Sequence, residues 1–362
     1  MGMGGEPGVV TIREVAQASG VHISTVSRAF SAPHLVNFET RNRVLTVASD
    51  LGYRPNRAAR GLITGRTHNL GLIVADIANP FFPPLIKAAQ TQARERDYSV
   101  FVADTDESPL VEEQLVEAFA KQVDGVLLCS PRMSNRQIHR LRREAPLVVV
   151  NRHVKGLPTV LMDVGSAARQ AIDHLTGLGH ERLALVAGPA ASWTSGQIRR
   201  SASAAARAAG ARLHIIGPNP PTSRGGAAAA EAVLSAGVTA VLAYNDLVAI
   251  GLMEALDQAR VRVPADLSVV GIDDIPHSQL TRPKLTTVTM PTVAAGRIAV
   301  DMLLQLVADD GPASTPQTTL DTALVIREST APPRNGGGDV RRRRPAKDAT
   351  GGRPPATAAA GH

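Results

Sequence analysis

Seven short apolar runs divide the middle of the chain, each followed by a stretch with helical spacing. They cover 70–76, 98–104, 125–130, 147–152, 182–188, 240–246 and 267–274. Runs that are apolar at every position, rather than at alternate ones, predict strands buried on both faces, as in a parallel sheet covered by helices. Over residues 68–330 this pattern is too long for one sheet, so two doubly wound lobes are expected. Several runs end in polar residues: Asp76, Asp104, Asn151-Arg152, Asn245-Asp246 and Asp273-Asp274. In open α/β sheets ligands bind outside the carboxyl ends of the strands, so these groups are expected around one cleft.

The first 54 residues carry a different pattern. Residues 11–31 predict two short helices joined by a tight turn. Thr11 and Glu14 have capping-box spacing, Val15 and Ala16 face inward, and Gly20 sits where a positive φ is needed. Val21 and Val26 supply the inner face of the second helix. His22, Ile23, Ser24, Thr25, Ser27 and Arg28 form its outer face. Short, hydroxyl-bearing side chains with one Arg suit a DNA major groove. An ordinary helical hairpin packed on a core fits the same residues. Asn37 is placed to cap a third helix, in which Val44, Leu45, Val47, Ala48 and Leu51 form a buried stripe that ends at Gly52.

Charge sharpens the division. The 362-residue chain has a formal charge of +7, and it sits at the ends. Residues 1–66 hold eight Arg against four acidic residues, and 331–362 hold six Arg and one Lys against two Asp, which leaves the body near neutral. A basic head suits a polyanion. The Pro-, Gly-, Ala- and Arg-rich segment 331–362 has little to bury and is expected to be a disordered basic tail. The one cysteine, Cys129, lies in an apolar run and suits a reducing compartment. No apolar stretch reaches the roughly 20 residues that span a bilayer, and no export signal opens the chain, so a cytoplasmic, nucleoid-associated protein is expected. Dinucleotide, P-loop, zinc-protease and nucleophile-elbow fingerprints are absent, so neither cofactor nor metal is expected.

The segment 51–67 contains L-G-Y-R-P-N-R-A-A and T-G-R-T. Leu62 is apolar in an Arg-rich setting. It suits either a plain linker or a wedge into a minor groove. Together with T-V-S-R at 25–28, this run resembles the headpiece and hinge of the lac-repressor (LacI/GalR) family of bacterial transcription regulators. The resemblance continues through N-P-F-F (79–82), V-D-G-V (123–126), Y-N-D-L-V-A-I-G (244–251), V-P-A-D-L-S-V-V-G-I-D-D (263–274) and P-K-L-T-T-V (283–288). It implies an all-α helix-turn-helix headpiece over 10–54, a hinge over 55–67 and a periplasmic-binding-protein-like body of two lobes over 68–330.

The resemblance also implies roles. Thr11, His22, Ile23, Ser24, Thr25, Ser27 and Arg28 would face DNA. Asn37, Thr40, Tyr53 and Asn56 would position the backbone, and Ala59 and the Leu62 wedge would enter the minor groove. Phe81, Phe82, Asn151, Arg152, Asn245 and Asp273 would contact a small effector, with Trp193 and Ser195 over the opening. Phe81 and Phe82 fit a plain core role equally, and Asp246 suits a helix cap as well as a ligand. One departure stands out: Ile198 occupies a position where the family usually has an effector-clamping Arg, and Ser201 a position where it usually has Gly. The expected protein is a homodimeric repressor that binds a near-palindromic double-stranded operator under control of a sugar-like effector. A solute-binding protein and a sugar-processing enzyme are the rivals.

Overall fold

The computed structural model describes residues 10–53, 66–308 and 315–334. Its headpiece contains α1 (Ile12–Ser19), α2 (Ile23–Ser31) and α3 (Phe38–Asp50). Each start has a local cause. Ahead of α1, Thr11 N donates to the Glu14 carboxylate at 2.6 Å and the Thr11 hydroxyl at 2.9 Å, and these bonds hold Glu14 below the usual carboxylate range. Gly20 has φ +67 and ends the helix. His22 caps α2, its Nδ1 accepting from Ser24 N, and Asn37 caps α3, its Oδ1 accepting from Glu39 N at 2.9 Å. Val15, Ala16, Val26, Ala29, Val44 and Ala48 make the shared core. A centre of only Val and Ala lets the helices cross closely, and the larger Ile12, Phe30 and Tyr53 pack half-buried around it. Leu51, expected in that core, is exposed.

The first lobe is built on a six-stranded parallel sheet of order β11-β5-β4-β3-β1-β2. Its strands are β1 (Asn69–Val74), β2 (Ser99–Asp104), β3 (Gly125–Cys129), β4 (Leu147–Val150), β5 (Thr159–Met162) and β11 (Gln317–Leu320). Leu70, Leu72 and Leu127 on one face pack with α4 (Phe82–Arg94) and α12 (Thr292–Ala308). Ile73, Val126 and Leu128 on the other pack with α5 (Pro109–Phe119) and α6 (Asn135–Leu141). Two covered faces account for the unbroken apolar runs of β1, β3 and β4, whereas β2, at the edge of the sheet, is only half-buried, against the expectation for its run.

The second lobe has a four-stranded parallel sheet of order β7-β6-β8-β9. These are β6 (Arg182–Val186), β7 (Arg212–Ile216), β8 (Ala240–Ala243) and β9 (Ser268–Val270). One face meets α7 (Val164–Gly177) and α8 (Trp193–Ala208). The other meets α10 (Ala230–Ser235) and α11 (Asp246–Gln258), with α9 (Ser223–Ala228) packed on α11. Beyond β9 the run to Asp274 leaves strand geometry, but Gly271 N and Asp273 N still bond to Thr286 O and Val288 O.

The chain passes between lobes after β5, between β10 (Thr287–Thr289) and α12, and between β11 and β12 (Ala323–Val325). β10 and β12 pair antiparallel. Gln170 on α7 holds the last of these passages, donating to Thr322 O and accepting from Leu324 N, both at 3.0 Å. Sequence patterning had offered no signal for β5, β7, β10, β11 or β12. They are short, and β7, β11 and β12 are only partly buried, so none presents a long apolar run.

The expected tail boundary at 331 needs correction. Ala331 O accepts from Ser268 Oγ at 3.0 Å and lies 2.9 Å from His180 Nε2, and Arg334 pairs with Asp266 at 3.3 Å. Side chains on β9, just before it and just before β6 therefore hold 331–334 to the body. Residues 335–362 lie outside the described residues.

Two stability outcomes follow from this packing. A Cβ at Gly251 would lie 1.8 Å from Ser223 O, and one at Gly226 would lie 2.0 Å from Val248 O, so α9 and α11 cross backbone to backbone. Gly251→Ala is expected to cost at least about 1–3 kcal/mol and to lower the thermal midpoint by several degrees; an unchanged melting curve would refute so close a crossing. Burial pushes the His180 pKa down, against the pull of its bond to Ala331 O. A His whose pKa is lower folded than unfolded contributes full stability above its unfolded value, about 6.5, and loses it as the pH falls. In denaturant titrations, the stability lead of wild type over His180→Gln should shrink between about pH 7.5 and pH 5.5. A lead that grows on acidification would reverse the assignment.

Candidate functional site

The outer face of α2 is the first candidate. His22, Ile23, Ser24 and Arg28 are exposed, Thr25 and Ser27 are half-buried, and Val26 and Ala29 turn into the core. His22 uses Nδ1 as a cap acceptor and lies 2.9 Å from Ser24 Oγ, so the two form one polar unit at the helix start. Thr11 does not fit its expected role. Its N–H and hydroxyl proton both go to Glu14, leaving only acceptor lone pairs for a phosphate, which is itself an acceptor. Asn37 uses Oδ1 as a cap and has its NH2 as donor; Thr40 is half-buried on α3. The Tyr53 ring packs on Phe30 at 5.9 Å, and burial pushes its hydroxyl pKa up. Asn56, Ala59 and Leu62 lie outside the described residues.

Where the chain re-enters the body, one carboxylate gathers it. Asp124 Oδ1 accepts from Thr67 N at 2.6 Å and Thr67 Oγ1 at 2.8 Å, and Oδ2 accepts from His68 N at 3.0 Å. Arg66 Nη2 donates to Val307 O at 3.1 Å, at the end of α12. Sequence reasoning had not singled out Asp124. Its signal was the V-D-G-V motif, which places a carboxylate just before β3.

The second candidate is a cavity between the lobes. Asn79, Phe81, Phe82, Glu107, Ser130, Arg132 and Asn151 line it from the first lobe. Val164, Thr194, Ile198, Pro221, Tyr244, Asn245, Ile272 and Asp273 line it from the second, with Met290 at a passage between them. The Phe81 and Phe82 rings meet edge to face at 5.0 Å, and both also belong to the buried core, so the two readings of this pair coexist. The centres of water-sized molecules have about 40 Å³ in which to sit. At roughly 10–15 Å³ for each water, that is space for a few waters. A ring-sized ligand needs the lobes to part.

Buried polar groups around the cavity are mostly paired. Arg132 forms a bidentate pair with Glu107, Nε to Oε2 at 2.6 Å and Nη2 to Oε1 at 2.7 Å, and donates from Nη1 to Ser130 O at 2.7 Å. Glu112 accepts from the backbone N–H of Arg132 and Met133, each at 2.9 Å, and burial pushes its pKa up despite them. Asn151, held at φ +60, donates from Nδ2 to Ser130 Oγ at 3.0 Å, while its Oδ1 is buried without a partner. Ser192, Thr194 and Tyr244 close a hydroxyl triangle with sides of 2.8, 3.1 and 3.1 Å.

Four expected contacts change. Arg152 turns away from the lining: Nη1 donates to Pro131 O and Met133 O at 2.8 and 2.6 Å, and Nη2 to Asn135 Oδ1 at 2.7 Å. It braces the loop after β3, and Arg132 is the guanidinium on the cavity. Trp193 packs half-buried against the core, and Ser195 is buried with its N–H on Ser192 Oγ. Thr194 and Ile198, four apart on α8, face the cavity instead. Arg199 is exposed, so it does not replace the missing clamp. Asn245 reaches the lining, but its amide caps α11 through Val248 N at 2.9 Å and donates to Pro221 O at 3.0 Å. Asp246 is not the cap: it accepts from Thr287 Oγ1 and Ile275 N, and burial pushes it up to about 7.

The rival acid–base pair separates. Asp273 lines the cavity, whereas Asp274 is tied to Arg327 at 2.5 Å and Thr289 Oγ1 at 2.8 Å. The Cys129 thiol is pushed up to about 12 by burial. Among the described residues no group of His, Cys, Asp and Glu side chains gathers to hold a metal.

A family model for bacterial regulatory proteins of the lacI family matches residues 11–56, and one for a periplasmic binding protein-like domain matches 172–330. The HTH-type transcriptional regulator GalS of Salmonella typhimurium is 32% identical over 305 residues, 82% of this chain and 90% of the relative. The chain belongs to the LacI family. The ribose operon repressor of Halalkalibacterium halodurans is 31% identical over 89% of this chain and 97% of its own length. Among solved structures, the lac repressor dimer bound to operator and the anti-inducer ONPF aligns with a TM-score of 0.79 at 26% identity, covering 89% of this chain and 99% of that one. These alignments run through headpiece and body together, so the LacI-family order of a helical head followed by two parallel-sheet lobes holds across the chain.

Proposed function

We propose that this chain is a sequence-specific DNA-binding transcriptional regulator, a repressor, that works as a homodimer on a near-palindromic operator. A small sugar-like effector bound between the lobes controls it. The observation that carries this reading is the capped helix pair whose exposed polar face, His22, Ile23, Ser24 and Arg28, precedes a two-lobed body with an interlobe cavity. Arg28 is the side chain suited to a guanine edge, and the short residues beside it allow the helix backbone to approach the bases. Two-fold pairing of heads requires two-fold symmetry in the DNA.

In the proposed mechanism the effector shifts the body between two lobe arrangements, one of which spaces the heads for DNA. Strand β3 supports such coupling: Asp124 at its start holds the hinge root, and Ser130 and Arg132 beyond its end line the cavity. The name of one relative, a ribose operon repressor, favours a sugar-like effector. A cytoplasmic site of action fits this reading, and among the described residues no helix is long and apolar enough to cross a membrane. The headpiece favours regulation over solute transport, and the regulatory relatives favour it over catalysis.

Selection of random oligonucleotides by the intact protein should return an inverted repeat, and Arg28→Ala should weaken binding by about 1–3 kcal/mol and relax one position in each half-site. Recovery of no enriched sequence would sink the reading. With that site in hand, insertion or deletion of one central base pair should be penalised by the wild type. Asp124→Ala, which frees the hinge root, should reduce this spacing penalty about tenfold or more, an equilibrium change of about 1.4 kcal/mol. An unaltered ratio would show that Asp124 does not set the spacing of the heads.

A further inference from the structure

The charge around the cavity is lopsided. Its one lining guanidinium, Arg132, is neutralised by the bidentate Glu107 pair and further held by Ser130 O. The nearby Arg327 is taken by Asp274, Ser278 Oγ and Leu285 O. The α8 position facing the cavity is the aliphatic Ile198. Opposite stands Asp273, half-buried on the cavity lining. No donor among the described residues reaches its carboxylate, and desolvation in the cleft together with the like charge of Asp246 pushes its pKa well up, a cost that a cation placed on it would remove. Asn151 Oδ1 adds a buried acceptor that no protein donor satisfies, on a residue only 7% exposed.

Two unsatisfied acceptors, one a carboxylate without a counter-cation, therefore face a slot walled by Phe81, Phe82 and Tyr244. Leaving Asn151 Oδ1 buried without a donor and Asp273 without a counter-charge is costly, so a ligand that pairs them binds by removing that cost. An anion meets Asp273 with the wrong sign. A neutral polyol supplies donors but leaves the carboxylate charge uncompensated. An ammonium group supplies both, and aromatic walls favour it further.

We infer that the cavity takes a small ring compound carrying a cationic amine, an amino sugar being the simplest such molecule, with its ammonium on Asp273 and a donor on Asn151 Oδ1, and that it excludes phosphorylated sugars. This inference rests on the regulator reading for the purpose of the cavity and on the charge inventory for its chemistry.

Calorimetry on the full-length protein at about pH 7 tests it with matched sets: D-glucosamine, D-glucose and glucose 6-phosphate, then D-galactosamine, D-galactose and galactose 1-phosphate. At least one amino sugar should bind about tenfold or more tightly than its hydroxyl counterpart, with no heat from the phosphate ester. Asp273→Asn should cut that preference to within about threefold. Ile198→Arg, which brings a guanidinium to the cavity without touching Asp273, should invert the order of amine and phosphate. Neutral or phosphorylated sugars binding as tightly as the amines overturn the inference. So do silence from every probe up to about 10 mM, a Kd ceiling near −3 kcal/mol, and an amine preference that survives Asp273→Asn. Oligonucleotide selection on the same preparation keeps the two levels apart. An enriched operator with no amine preference defeats the ligand assignment alone, and failure to enrich any operator defeats the regulator reading whatever the calorimetry reports.

Discussion

Parallel strands with both faces covered impose most of what this molecule can do. Each strand must be followed by a crossover before its neighbour can run the same way, so all the carboxyl ends of a sheet lie along one edge. In the first lobe that rule brings Asn79, Ser130 and Asn151 to one margin, although they stand far apart along the chain. In the second it brings Thr194, Asn245 and Asp273 to the facing margin. The cavity needs no element of its own. It is the place where two such edges meet, stitched by the passages that Gln170 and Asp163 hold.

Low dielectric then sorts the polar groups at those margins. A buried guanidinium or carboxylate persists only with partners, and here most have them: Arg132 with Glu107, Arg152 with three acceptors, Asp246 with Thr287 and Ile275. These groups shape the walls and hold the loops. Of the residues on the lining, Asn151 keeps Oδ1 buried without a partner and Asp273 has no donor among the described residues, and the inference about the ligand rests on these two.

The same sheet links cavity and head. β3 is a short, fully buried strand whose neighbours on both sides fix its register, so it moves as part of a rigid slab. Its start carries the residue that grips Thr67 and His68, and the turn after it carries Ser130 and Arg132. On the proposed reading, a displacement of that slab on lobe parting reaches the hinge root without any intermediate chain of side chains, and so an event in the cleft reaches the DNA.

Local chemistry was enough to place the helix pair, the caps at Thr11 and Asn37, the Gly20 turn and seven strands, because each depends on neighbours within a few residues or on an apolar run; the cap at His22 and the half-exposed edge position of β2 were not legible there. It also announced a cleft lined by strand ends. Tertiary structure decided the rest. Which guanidinium faces the cavity, Arg132 or Arg152, depends on acceptors from separate turns; whether Trp193 or Ile198 does so depends on the rotation of α8 against both lobes. The half-exposed strands β7, β11 and β12 owe their existence to pairing partners far along the chain, and the hold on Ala331 comes from groups more than sixty positions upstream. Sequence reports what a segment prefers to bury; only the assembled lobes determine which polar atoms find partners and which are left facing the cavity.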